Sequence, residues 1–174
     1  DNLQHSARVL AKSMYLTEHQ LVDLEKLGIY INYNGYGSSI EDLHFTPDAL
    51  YRLLSTHTSP FGFINDSVDS FEKLQYGYQA DMAAATQLSP EFSNNAVAVY
   101  ILPNQAWSRR VSGVYSNNLA NGTPSRGHAV LSIKENGNYL ISVRAPLENK
   151  TGADELCRRF VSGDGRAAAA GMND

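Results

Sequence analysis

The sequence predicts an α/β fold, with an N-terminal helical region followed by a small mixed-sheet α/β domain. Three observations carry that expectation. Apolar residues recur at helical spacing through the first half of the chain. The run "NAVAVYILP", Asn95 to Pro103, is nearly continuous, apolar and β-branched, as a buried strand is. Further on, "GHAVLSIKENGNYLISVRAP" reads as two strands around Asn136-Gly137, a dipeptide suited to a tight hairpin turn.

The elements follow in order. In "DNLQHSARVLAKSMYL", Leu3, Ala7, Leu10, Ala11 and Met14 fall at helical spacing. Thr17 with Gln20 three residues on is a capping box. It opens a second helix carrying Leu21, Leu24 and Leu27, which is expected to stop at Gly28. Ile29 to Ile31 read as a short extended piece, followed by a Gly/Asn/Tyr/Ser loop up to Phe45. Thr46-Pro47 supplies an N-cap and a first-turn proline for "DALYRLL", and Ser59-Pro60 breaks that helix. A long helix is expected from Asp66 to about Leu88, with Asp66 and Asp69 in its first turn. Its apolar stripe is Val68, Phe71, Leu74, Tyr78, Met82 and Ala85, and Ser89-Pro90 ends it. After the first strand, "WSRRVSGVYSNNLAN" places Trp107, Val111, Val114 and Leu119 on or near one helical face. Trp107 is expected as a core anchor, with Arg109 and Arg110 on the surface; the alternative is a base or phosphate cleft that the three line by stacking and charge. A short helix, "TGADELCRRF", precedes the glycine-rich "RRFVSGDGRAAAAG". The expected organisation is a helical region over 1–65, a connecting helix over 66–92 and an α/β domain over 93–174.

Bulk properties narrow the function. The single cysteine, Cys157, excludes an intramolecular disulfide and fits a reduced, cytoplasmic setting. It is expected as a small, partly buried helix residue rather than a nucleophile. No apolar run approaches the roughly 18 residues that would span a bilayer, and no signal peptide is visible. The net charge of -4 hides an asymmetry. Up to Pro103 there are 5 Lys+Arg against 12 Asp+Glu; from Asn104 on there are 9 against 6, a balance of +3. An anionic partner docks more easily on the second half. The excess is too small for non-specific duplex binding. The chain begins at Asp1 without Met and ends in "GMND", as expected of a piece of a longer protein.

The glycine-rich stretch raises the question of chemistry. Gly163, Gly165 and Ala168 fit G-x-G-x-x-A, but a dinucleotide fingerprint follows a strand, and these follow a helix. Nothing matches a Walker loop. Glycines let backbone approach backbone or ligand, and Arg166 offers a planar fork suited to phosphate. The alternative is a tight turn with Arg166 merely solvated. In "YLISVRAP", strand alternation puts Ile141, Val143 and Ala145 on one face and Ser142 and Arg144 on the other. Arg144 is then an anion ligand or an ion-pair partner. Asn117 and Asn118 either meet a ligand or end a helical turn. His128, at a strand start, reads as a hydrogen-bonded structural histidine. Glu41, Asp42 and His44 are the nearest set to a hard-metal site, but three residues before a helix cap read as a solvated loop.

Together, "ISVRAP", "TGADELCRRF" and "GDGRAAAAGMN" resemble the C-terminal, DHH-associated substrate-binding domain of DHH-superfamily phosphoesterases, the oligoribonuclease-like and RecJ-like enzymes. The family pattern is a strand with Ser and Arg, a helix, then Gly-Gly-His-x-x-Ala-Ser/Ala-Gly. Asp164 to Gly171 fill those eight places, with Asp164 at the first Gly, Arg166 at the His, and Ala169, Ala170 and Gly171 in agreement. The resemblance implies that Arg144, Gly165 and Arg166, with Ser142, Gly163 and Gly171 around them, bind the phosphate end of a substrate across an interdomain cleft. The substrate would be a short nucleic acid, a nucleotide or another phosphorylated compound. Arginine in place of histidine removes any neutral-imidazole role and keeps anion binding. The resemblance also implies a missing N-terminal catalytic domain holding two metal ions, usually manganese (Mn2+). The chain has no Asp-His-His triplet, so it is expected to contribute neither catalytic residues nor metal ligands. The rival readings are a non-catalytic nucleic-acid-binding module and a structural or dimerisation domain, including a homodimer, whose small-residue seam only packs.

Overall fold

The computed structural model describes residues 3–173 and, from Ser6 onward, their side chains; Leu3 of the first apolar stripe therefore lies outside the described side chains. The elements are α1 (Leu3–Ser13), α2 (Glu18–Tyr33), a 3-10 turn (Ile40–Asp42), α3 (Pro47–Ser55), α4 (Pro60–Asp66), α5 (Val68–Thr86), β1 (Phe92–Ser93), β2 (Val97–Leu102), α6 (Ala106–Gly122), β3 (Gly127–Ile133), β4 (Tyr139–Arg144), α7 (Ala153–Cys157), β5 (Asp164–Arg166) and β6 (Ala169–Asn173). This is the expected α/β fold, with the helical region first. The chain divides into two compact units, Asp1–Ala80 and Asp81–Asp174. No described helix is long and apolar enough to cross a membrane.

The first unit is helical. Thr17 caps α2 in a complete capping box, and Thr46 caps α3 ahead of Pro47. Two expectations fail here. α2 does not stop at Gly28 but runs on to Tyr33, so Ile29–Ile31 are helical rather than extended. A side chain at position 28 would meet nothing within 4 Å, and a glycine in a helix costs only about 1 kcal/mol against alanine. Packing offsets that cost, because the extra turns carry Tyr30 and Tyr33 into the core. Asp66 is the last residue of α4 rather than part of the first turn of α5. Tyr30, Leu50 and Leu74 form the core, with Phe71 and Tyr78 packed against it. The Tyr30 ring lies 5.7 Å from Phe71 and 5.4 Å from Tyr78. Asn34 closes the loop before α3 by exchanging two hydrogen bonds with the Phe45 backbone.

The second unit is a six-stranded sheet in the order β1-β2-β3-β4-β6-β5. β2 and β3 are parallel, joined through α6, and every other pair is antiparallel. The Asn136-Gly137 turn joins β3 to β4, and Gly137 has the positive φ of 83° that this turn needs. α6 packs on one face of the sheet and α7 on the other. The face of α6 toward the core differs from the expected one: Ser108, Val111, Tyr115, Ser116 and Ala120 are buried, while Trp107 is only partly so. The two serines are tolerated because their hydroxyls donate to nearby carbonyls, Ser108 to Pro103 and Gln105, Ser116 to Ser112. Arg110 is not on the surface either. It forms a forked pair with Asp81, Nε to Oδ2 at 2.7 Å and Nη2 to Oδ1 at 3.1 Å.

Candidate functional site

The glycine-rich stretch follows α7, as expected, but beyond Gly163 it is not a loop. It is a β-hairpin, β5 and β6 joined by Ala167-Ala168, added to the sheet beside β4. The hairpin tip is held by two backbone bonds: Ala145 N–H donates to the Ala168 carbonyl, and Ala153 N–H, at the start of α7, to the Ala167 carbonyl. Ala170 and Met172 point to the α7 side, where they pack with Val143, Ala145, Ala153 and Cys157. Cys157 is wholly buried, and that burial, with Asp154 nearby, raises its thiol pKa above the usual range. It is a packing residue.

The glycines answer to backbone packing. A Cβ on Gly163 would run into the Cys157 carbonyl, and one on Gly171 would lie 2.9 Å from the Ile141 carbonyl oxygen. Gly165 has φ of +148° and faces the Ala170 backbone. Arg158 fixes the same turn, donating to Asp154 at 2.8 Å and to the Gly165 carbonyl at 3.3 Å.

The register then brings the sequence-predicted residues together. Arg144 on β4 pairs with Ala169 on β6, and Ala169 pairs with Arg166 on β5. Ser142 pairs with Gly171, which pairs with Asp164. Paired residues share a face, so Arg144 and Arg166 flank Ala169 on one side of the sheet, with Ser142 and Gly171 in the next row. Two strand spacings separate the arginines by about 10 Å at the backbone. Between them the floor is small: Ala169 and Gly171. Arg166 is exposed, and Ser142, Arg144, Ala169 and Gly171 are half-buried. On this face α6 reaches Arg144 through Asn117, whose Oδ1 accepts from Arg144 Nε at 2.9 Å. The sequence left Asn117 open between ligand contact and helix end; its place over Arg144 depends on tertiary packing.

The row continues the other way. Ser93, Ala98 and His128 precede Arg144 across β1, β2 and β3. His128 is only 3% exposed, and its Nδ1 lacks a hydrogen-bond partner. Burial first, and the Arg126 charge second, lower its pKa. In the unfolded chain the ring titrates near 6.5. As pH falls through about 6.5, the unfolded state takes up a proton that the folded state refuses, so stability is lost toward acid. His128→Gln is therefore expected to lose less stability than the wild type between pH of about 7.5 and about 5.5. Urea unfolding followed by Trp107 fluorescence checks this; a variant that loses more would contradict it.

A cavity of about 240 Å³ borders this end of the sheet. Val97, Ala129, Val143 and Ala145, whose side chains strand alternation puts on the α7 side, line it together with Leu156 of α7, and His128 and Arg144 border it as well. Glu41, Asp42 and His44 do not fit manganese. Asp42 accepts from the Ser38 backbone and hydroxyl, His44 Nε2 bonds the Tyr33 hydroxyl at 2.8 Å, and no three His, Cys, Asp or Glu among the described residues converge on one point.

No protein-family model matches the chain, and no curated protein matches it. Among solved structures, the pGpG-specific phosphodiesterase PggH from Vibrio cholerae is similar, with a TM-score of 0.53 at 11% identity over 86% of this chain. A protein from Helicobacter pylori G27 aligns over 90% of this chain and 40% of its own, at 15% identity and a TM-score of 0.33, too low to carry weight. The chain spans about half of PggH, 51% of its length, and at that identity what the two share is the fold.

Proposed function

We propose that the second unit is the substrate-binding part of a metal-dependent DHH-type phosphoesterase, and that it holds the phosphate of a nucleotide or short nucleic acid. The observation that carries this is the register of Arg144, Ala169 and Arg166. Two guanidinium groups on one sheet face, over a floor of alanine and glycine, suit a phosphorylated ligand that needs charge on both sides and room between. Ser142 adds a hydroxyl on that face, and Gly163, Gly165 and Gly171 hold the hairpin in place. The fold shared with a pGpG-specific phosphodiesterase supports the same reading. The metal ions, manganese by the resemblance, would be held by residues outside this chain, so hydrolysis belongs to a partner domain. A cytoplasmic setting completes the proposal.

The test is calorimetric titration with a 5′-phosphorylated dinucleotide. Arg144→Ala and Arg166→Ala are each expected to weaken binding about tenfold or more, the worth of one hydrogen bond to a charged group. Raising salt should weaken wild-type binding further. Unchanged affinity in both variants would remove the site, and a chain that binds no phosphorylated ligand would favour a packing role for the hairpin.

A further inference from the structure

We infer that Asn117 is a third arm of this anion site, contacting the phosphoryl group while it orients Arg144. The inference rests on the phosphate-binding reading above and assigns a residue on a different element, α6. The chemistry of the one bond fixes the amide. Arg144 Nε is a donor only, so the Asn117 atom 2.9 Å away must be the carbonyl oxygen. The amide nitrogen then lies on the other side of the same planar group, with two N–H donors, in a side chain that is exposed. Accepting at Nε also sets the plane of the guanidinium. Arg144 Nη1 is tied down as well, donating to the Val143 carbonyl at 3.2 Å. A guanidinium held at two nitrogens is oriented before ligand arrives, which lowers the entropy lost on binding. Asn117 thus offers an anion two neutral donors beside the charge of Arg144.

The substitutions separate this from a tie that only joins α6 to β4. Asn117→Asp keeps an oxygen acceptor for Nε and makes that bond an ion pair. It also replaces the two donors with a negative oxygen facing the ligand. A merely structural role predicts that Asn117→Asp loses affinity only through its added charge, a loss that high salt screens, whereas a ligand contact predicts that at the same high salt it still binds worse than Asn117→Ala. The experiment is titration of the full 174-residue chain with the 5′-phosphorylated dinucleotide and, in parallel, with its unphosphorylated counterpart. Asn117→Ala should weaken binding of the phosphorylated probe about tenfold, and Asn117→Asp by up to about a hundredfold. The thermal midpoint of Asn117→Asp should be no lower than that of Asn117→Ala. The two variants should shift the unphosphorylated probe equally or not at all. If Arg144→Ala loses binding while Asn117→Asp at high salt binds no worse than Asn117→Ala, the role of Asn117 is overturned and the phosphate site stands. If neither Arg144→Ala nor Arg166→Ala changes binding, the phosphate site itself is overturned.

Discussion

Alanine at Gly165 is expected to destabilise the second unit by about 2–6 kcal/mol, the sum of backbone strain and overpacking at one position. At φ of +148° an L-residue is strained whatever the space around it. The space is also missing, because the new Cβ would collide with the Ala170 backbone of the partner strand. Relief requires β5 to leave β6, and Arg166, the next residue, leaves with it. Gly165→Ala should therefore lose both stability and phosphate binding. Gly163→Ala should behave alike, since its Cβ would meet the Cys157 carbonyl at the end of α7. Gly113 is the control. It lies within α6 with nothing within 4 Å of an added Cβ, so Gly113→Ala should raise stability by up to about 1 kcal/mol. The chain's one tryptophan, Trp107, sits on α6, so its fluorescence during urea unfolding reports this unit. Equal stability of Gly165→Ala and wild type would mean that the hairpin pairs with the sheet differently from the register described.

That hairpin marks where the sequence stopped being legible. Elements set by local chemistry could be read directly: the Thr17 and Thr46 caps, the β-branched run that becomes β2, and the Asn-Gly turn between β3 and β4. β6 is Ala169–Asn173, two alanines, a glycine, a methionine and an asparagine, with little strand propensity of its own. It is a strand because Ile141, Ser142 and Val143 of β4 supply the ladder and α7 covers Ala170 and Met172. Such pairing is non-local, so a glycine-rich loop was the natural expectation. The site shows the same division. That Ser142 and Arg144 share a face follows from alternation within one strand. That Arg166 stands on that face too depends on the register of three strands, and Asn117 depends on how α6 is rotated over them.

The rotation of α6 has an identifiable anchor, and removing it should cost nearly as much as breaking the hairpin. Arg110 and Asp81 form a forked pair with side chains only 12% and 8% exposed. Asp81→Ala leaves the guanidinium buried without its carboxylate, which is expected to cost about 3–5 kcal/mol. Arg110→Ala should cost a similar amount for the opposite reason, a stranded carboxylate. Replacing both with apolar residues of similar volume, Asp81→Leu with Arg110→Met, removes the charges together and should cost less than either single change. The pair also bears on the site. Arg110 and Asn117 are seven residues apart on one helix, within about 20° of two full turns, so they lie on one stripe of α6. Fixing Arg110 to Asp81 sets the rotation that places Asn117 against Arg144. The double variant, though stable, should therefore bind the phosphorylated dinucleotide more weakly than wild type, because apolar side chains hold that rotation less specifically than a forked ion pair. Urea unfolding and titration on the same four proteins separate the two effects. Full binding in the double variant would show that packing of Val111 and Tyr115 against the sheet suffices to orient α6.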